Sequence, residues 1–303
     1  MAKAKKPATS ELTYEEVQKI RAALGAGVTE AAQPEAVAKF SREFGPALGG
    51  ALAAPRVATL VAEGDSWFDY LPGLDIIAQL ELRHRYRIIN LAQAGDSLEN
   101  IAFGTEIGRD FSRTPPQLDV LLDTVEQVRP RVVLLSAGGN DIAGEELAGY
   151  LNHADSGLPP LRVDYLKDVI HGQFRRGYQT LAQAIWKVDP TIHVVTHGYG
   201  HAIPSGVAVL NFPFGFRFIG PWLKPAFVRK NIKLSDAREI VKTMIDEFNS
   251  MLAALPGTIG GPFHVVDLRS SIRSSDWVNE LHLTNDAYRR VADKFHAVIK
   301  PLV

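Results

Sequence analysis

The sequence predicts an α/β fold: an open, doubly wound parallel sheet of five strands with helices on both faces. Two observations predict it. From Val57 onward, apolar runs of strand length alternate with longer helical patterns, which is the signature of βαβ succession rather than of hairpins. The 303 residues, 46% of them hydrophobic, can bury one large core without dividing into two comparable domains.

Residues 1 to about 10 read as a basic tail. Thr13 and Glu16 then have capping-box spacing for a helix with Val17, Ile20 and Leu24 on its apolar face, ended by Gly25. A second short helical pattern at 36–44 stops at Gly45-Pro46, and the Gly-, Ala- and Pro-rich run to Pro55 reads as a linker. Residues 1–55 are therefore expected to be a tail and helical appendage, and 56–303 the main domain. Within it, strands are predicted at 57–62, 86–91, 132–136, 192–196 and 263–267. Helices are predicted at about 74–84, 97–111, 117–128, 161–187, 234–254 and 284–299.

One insertion breaks the alternation. Residues 203–228 carry Phe212, Phe214, Phe216, Phe218, Trp222 and Phe227, punctuated by Pro204, Pro213, Pro221 and Pro225. The prolines argue against a regular helix. The aromatic content suggests a cover over an apolar cleft, with an oligomer contact or an extra core layer as the alternative.

Bulk charge narrows the partners. Lys plus Arg (33) nearly balance Asp plus Glu (34), a net charge of -1, so no global field gathers nucleic acid or an anionic membrane. A small neutral or weakly charged substrate is expected. The absence of cysteine removes disulfides, thiolate metal sites and cysteine nucleophiles. The basic start runs into Ser10-Glu11-Leu12-Thr13-Tyr14 rather than an apolar signal core, and no stretch approaches the roughly 20 apolar residues of a membrane span. A soluble, cytoplasmic protein without stable membrane insertion is the expectation.

In a doubly wound sheet, ligands sit beyond the carboxyl ends of the strands, so chemistry is sought there. The first strand runs into Gly64-Asp65-Ser66, where the glycine allows a sharp turn and a helix starting near Ser66 would place its hydroxyl beside unpaired amides. Alone, these residues equally suit a structural turn and cap. Gly95-Asp96-Ser97-Leu98, after the second strand, competes as a string. Spacing separates the two. With Ser66 as nucleophile, Gly95 is the glycine that follows strand two and Ser97 becomes an N-cap; with Ser97, only Gly104 and Gly108 remain, both inside an apparent helix.

The third strand ends in Gly138-Gly139-Asn140-Asp141. Its glycines permit close backbone approach, and the Asn140 amide is a neutral donor suited to developing negative charge. The plainer reading is an Asx turn. After the fifth strand, His282 stands just before the last helix, where an imidazole can take and return a proton near neutral pH. A lone loop histidine is usually an exposed surface residue, so its weight comes from sharing the edge with the other motifs.

Taken as a set, these four blocks resemble, in order and approximate spacing, those of the SGNH (GDSL-type) hydrolases, over about residues 57–300. The resemblance implies a three-layer α/β/α, flavodoxin-like fold. It implies Ser66 as nucleophile, His282 as base, and an oxyanion hole from the Ser66 and Gly95 amides with the Asn140 side chain. It also implies a small-molecule ester substrate, with no metal and no cofactor. One departure is informative. The family usually has aspartate three residues before the histidine, and here that position is Asn279. Asn279, through side chain or carbonyl, ranks ahead of Asp276 as support for the imidazole; a backbone carbonyl in 277–279 and Glu280 are further alternatives. A missing charge there predicts a less basic His282.

Two other readings stay open. A non-catalytic binding module on the same fold is motivated by Asn279 and the long insertion. A Mg²⁺-dependent phosphoesterase would use Asp65, Asp69 and Asp141, yet it leaves Ser66, Asn140 and His282 without a joint role. The His193, His197, His201 spacing of four resembles a metal-binding helical face, but the context is strand then glycine-rich loop, so the rings are expected apart; His197 or His201 could line the cleft.

Overall fold

A computed structural model describes residues 57–70, 74–208, 210–211 and 217–303. The predicted appendage at 1–55 lies outside the described residues. Five parallel strands form the sheet: β1 (Thr59–Gly64), β2 (Arg87–Asn90), β3 (Val132–Ser136), β4 (His193–His197) and β7 (Phe263–Val266), in the order β2-β1-β3-β4-β7. This is the flavodoxin-like order that the resemblance implied. β3 is buried along its whole length and β1 at all but its first residue, which is why both carry apolar runs, at residues 60–62 and 132–135. The edge strand β2 is only partly buried and contributes just two apolar residues, Ile88 and Ile89.

The helices form two layers. α1 (Ile76–His84) packs against the last helix, α8 (Asn285–Ile299); α2 (Leu98–Phe103), α3 (Gln117–Val128) and α5 (Arg175–Val188) pack together as a second group. A shorter α4 (Val163–Asp168) leads into α5 through a π-helical turn, Val169–Phe174. The long α7 (Leu234–Ala254) turns a stripe of Val241, Met244, Ile245 and Phe248 into the core. Asp75, Ser97 and Thr284 cap α1, α2 and α8, each side chain accepting from a backbone N–H of the first turn.

Three expectations need correction. The helix predicted at 97–111 stops at Phe103, because Gly104 takes φ +70° and a Cβ there would meet the Thr114 carbonyl oxygen at 2.5 Å. No helix starts near Ser66, where residues 66–68 form a turn; the first helix begins at Ile76, within the range predicted at 74–84. The 203–228 insertion does contain a helix, α6 (Lys224–Arg229), with Pro225 in its first turn, where a missing N–H breaks no helical bond. Ahead of it lies a small antiparallel ribbon, β5 (Leu210–Asn211) with β6 (Arg217–Ile219). Among the described residues no helix is long and apolar enough to cross a membrane.

The sheet centre carries one carboxyl group. Glu63 on β1 is fully buried, with one oxygen accepting from the Gly64 N–H at 2.8 Å and the other lacking a hydrogen-bond partner. Burial, with Asp96 nearby, pushes its pKa up to about 8. A folded pKa above the unfolded value means a stability contribution that is present at low pH and lost as pH rises toward that folded value. Glu63→Gln carries no charge at any pH. Its melting temperature relative to wild type should therefore climb between about pH 5 and about pH 8, and a gap independent of pH would contradict a protonated Glu63.

Candidate active site

Ser66 is presented by the turn at the carboxyl end of β1. The Gly64 backbone runs so close to β3 that a Cβ would lie 2.4 Å from the Ser136 carbonyl oxygen, so only glycine lets the chain leave the sheet there. Asp65 then closes the turn: its carboxylate accepts from Trp67 N–H at 2.9 Å and its carbonyl from Phe68 N–H at 3.0 Å. Ser66 is left half-buried at the sheet edge.

His282 arrives from a tight loop. An antiparallel bridge joins Trp277 to Leu283, and Val278 N–H donates to the His282 carbonyl at 3.0 Å. Inside the loop, Asn279 Oδ1 accepts from the backbone N–H groups of Leu281 and His282, both at 2.9 Å. Those donors fix which end of the amide is oxygen. The His282 Nδ1 lies 3.0 Å from the same oxygen, so Nδ1 must carry the ring proton. The bare Nε2 then faces Ser66 Oγ at 2.8 Å.

Two aromatic residues hold this pair together. Trp67 Nε1 donates to the Leu281 carbonyl at 3.0 Å, tying the turn that bears Ser66 to the loop that bears His282. Tyr70 stacks on the imidazole with centroids 4.0 Å apart, and its hydroxyl accepts from Asn279 Nδ2 at 3.3 Å. Burial without a charged neighbour drives the His282 pKa down to about 3. The ring is neutral at physiological pH.

Asp276 is occupied elsewhere: it accepts from Arg273 N–H at 2.7 Å and pairs with Arg290 at 2.5 Å. Asn140 donates from Nδ2 to the Asp96 carbonyl at 2.8 Å, joining the third strand-end loop to the turn that carries Gly95. Gly95 itself is exposed at φ +94°. Asp141 braces the same junction, its two oxygens accepting from Leu98 N–H at 2.7 Å and Glu99 N–H at 3.1 Å. Its pKa is pushed up to about 6 by burial. Ser97 Oγ is spent as the α2 cap, 3.0 Å from Asn100 N.

Ser66 and Asn140 line a cleft, with Trp67, Tyr199, Trp277 and Leu281 around them. One carboxylate holds the backbone beside it. Glu280, fully buried, accepts from the N–H groups of Gly206 (2.8 Å), Trp222 (2.6 Å), Leu223 (2.6 Å) and Lys224 (3.0 Å). Residues 206 and 222–224 are thereby fastened to the loop between Asn279 and His282, and Leu223 lines the cleft. Glu280 points at these amides and not at the imidazole.

A second cluster of serine, histidine and aspartate lies beneath the first. Ser136 Oγ is 2.7 Å from Asp65 Oδ1 and 2.8 Å from His197 Nε2, and Tyr199 hydroxyl donates to Asp65 Oδ2. Ser136 and His197 are wholly inaccessible. The order also differs from that of a relay onto serine, since the aspartate meets the hydroxyl rather than the imidazole. This network supports the Ser66 turn from below. Burial raises Asp65 to about 6 and lowers His197 to about 4.

The sequence allowed His197 or His201 to line the cleft, and neither does. His197 is packed 5.4 Å from the Trp67 ring, His201 meets Asp246 at 2.9 Å, and His193 meets His264 at 2.9 Å. Asp69 accepts from Ala94 N–H at 3.0 Å. Asp65, Asp69 and Asp141 thus each hold a different backbone amide, and among the described residues no group of three or more metal-ligating side chains converges. Sequence reasoning missed Tyr70, Tyr199 and the Trp67 indole bond. Their only sequence signal was an aromatic residue beside a motif, which any core position shares.

No protein-family model matches this chain, and no curated protein matches it. Solved structures do. An extracellular lipase from Streptomyces rimosus superposes with a TM-score of 0.50 at 14% identity, covering 80% of this chain and 99% of that one. Phospholipase A1 from Streptomyces albidoflavus gives 0.48 at 12% identity, over 79% and 98% of the two chains. A family 3 carbohydrate esterase from Clostridium thermocellum gives 0.42 at 14% identity, over 81% and 96%. At such identities the likeness is one of fold, and the first match carries it. Strand order, helix layers and this likeness together give the chain the fold of the SGNH (GDSL-type) hydrolases.

Proposed function

We propose that the chain hydrolyses a carboxylic ester through an acyl-enzyme on Ser66. The observation that carries the reading is the neutral imidazole whose bare Nε2 lies 2.8 Å from a cleft-facing hydroxyl. Ser66 Oγ attacks the ester carbonyl while Nε2 takes its proton. The oxyanion is received by the Ser66 and Gly95 amides and by Asn140 Nδ2, which has a second N–H beyond the one given to Asp96. Collapse expels the alcohol with the proton from His282. Water then repeats the sequence and frees the acid.

Asn279 takes the orienting role that an aspartate has in a triad, without the charge. It fixes the tautomer through Oδ1 but leaves the imidazolium less stabilised. A non-catalytic binding role draws its support from that one substitution, and labelling by a fluorophosphonate separates the two. Stoichiometric modification of Ser66 is expected. A short p-nitrophenyl ester should be hydrolysed, with kcat/KM lowered about 10³-fold or more in Ser66→Ala. Ser97→Ala, which loses only a helix cap, should retain activity; the reverse pattern would refute the assignment.

The pH dependence follows from His282. With its pKa down at about 3, the acid limb of kcat/KM should lie well below the usual histidine value of 6.5. Asn279→Asp places a carboxylate at Nδ1, favours the imidazolium and moves that limb to higher pH. An acid limb near the ordinary histidine range in wild type, unmoved by Asn279→Asp, would count against this base.

A further inference from the structure

The cleft beside Ser66 is walled by aliphatic groups to a degree that ester chemistry alone does not require. Val241, Met244 and Ile245 project from one face of α7 at i, i+3 and i+4 and form one side. Leu147, from the short 3-10 turn Glu146–Tyr150, and Leu223, held by Glu280, form others. Met244 and Leu147 are almost completely buried, so these walls belong to the folded core and not to loose surface.

The carboxylate and the phenol that reach the cleft are already committed. Asp65 accepts from Trp67 N–H and meets the Ser136 hydroxyl through one oxygen, and accepts from Tyr199 through the other. The Tyr199 hydroxyl donates to Asp65 and accepts from Gly139 N–H at 3.2 Å. Ser66 and Asn140 are the groups that the proposed chemistry uses. A sugar or a charged head group would surrender its water there for few side-chain partners in return. A chain of methylenes loses nothing and gains the full benefit of burial.

We infer that this cleft binds a neutral aliphatic chain of the ester, longer than acetyl, and that the Val241–Met244–Ile245 face of α7 sets the length it accepts. The inference rests on the Ser66 reading above and adds the substrate class to it. Either the acyl or the alcohol part of an ester can carry such a chain, so the test uses both. One series comprises p-nitrophenyl esters from acetyl through butyryl and octanoyl to dodecanoyl; the other comprises acetates of alcohols of matching lengths.

In one series kcat/KM should rise about fourfold per added methylene until the chain meets the end of the cleft. Met244→Ala should move the optimum to longer chains and Val241→Phe to shorter ones. Activity that is flat with length or greatest with the shortest chain in both series overturns the inference, while hydrolysis through Ser66 still stands. If no ester is turned over, the Ser66 reading fails and binding decides this one. Trp67 and Trp277 line the cleft, so their fluorescence in wild type reports titration with methyl hexyl ketone against acetone. Tighter binding of the longer ketone supports the inference, and equal affinities overturn it.

Discussion

The geometry at the sheet edge depends on a single side-chain oxygen. Asn279 Oδ1 collects two backbone N–H groups and the ring N–H of His282, which sets the loop and the tautomer at once. Because the ring proton is held on Nδ1, the lone pair on Nε2 is aimed at Ser66. An aspartate in this place would add charge to the same geometry. Here the amide leaves burial as the dominant influence on the imidazole, and the ring stays neutral across the physiological range.

Two serine–histidine pairs meet at the turn after β1, where Ser66 belongs to one and its neighbour Asp65 bonds the other, and solvent access distinguishes them. Ser66 borders the cleft, whereas Ser136 and His197 are sealed between β1, β3 and β4. The sealed pair joins the ends of adjacent strands, through Ser136 to Asp65 and through His197 Nε2 to Ser136 Oγ at 2.8 Å. Residue type alone does not separate a reactive constellation from a structural one. Position relative to the surface does.

Much of the fold was legible because central strands differ from edge strands in composition. The run at 132–135 is apolar throughout, as suits a strand buried on both faces. The spacing of Gly64, Gly95, Asn140 and His282 was legible because each lies at the carboxyl end of a strand or just before the last helix. The end of α2 was hidden, because the clash that enforces Gly104 comes from residue 114, across a loop. Glu280 was hidden for a similar reason. Its partners are backbone amides 56 to 74 positions earlier, and amides leave no mark in a sequence.

That hidden carboxylate bears on how such a protein can diversify. Glu280 grips main-chain N–H groups at 206 and 222–224, so its hold is indifferent to the side chains those residues carry. The wall above the reacting bond can then change in bulk and polarity while its anchorage persists. New preferences could be selected there with little disturbance to the histidine two positions along.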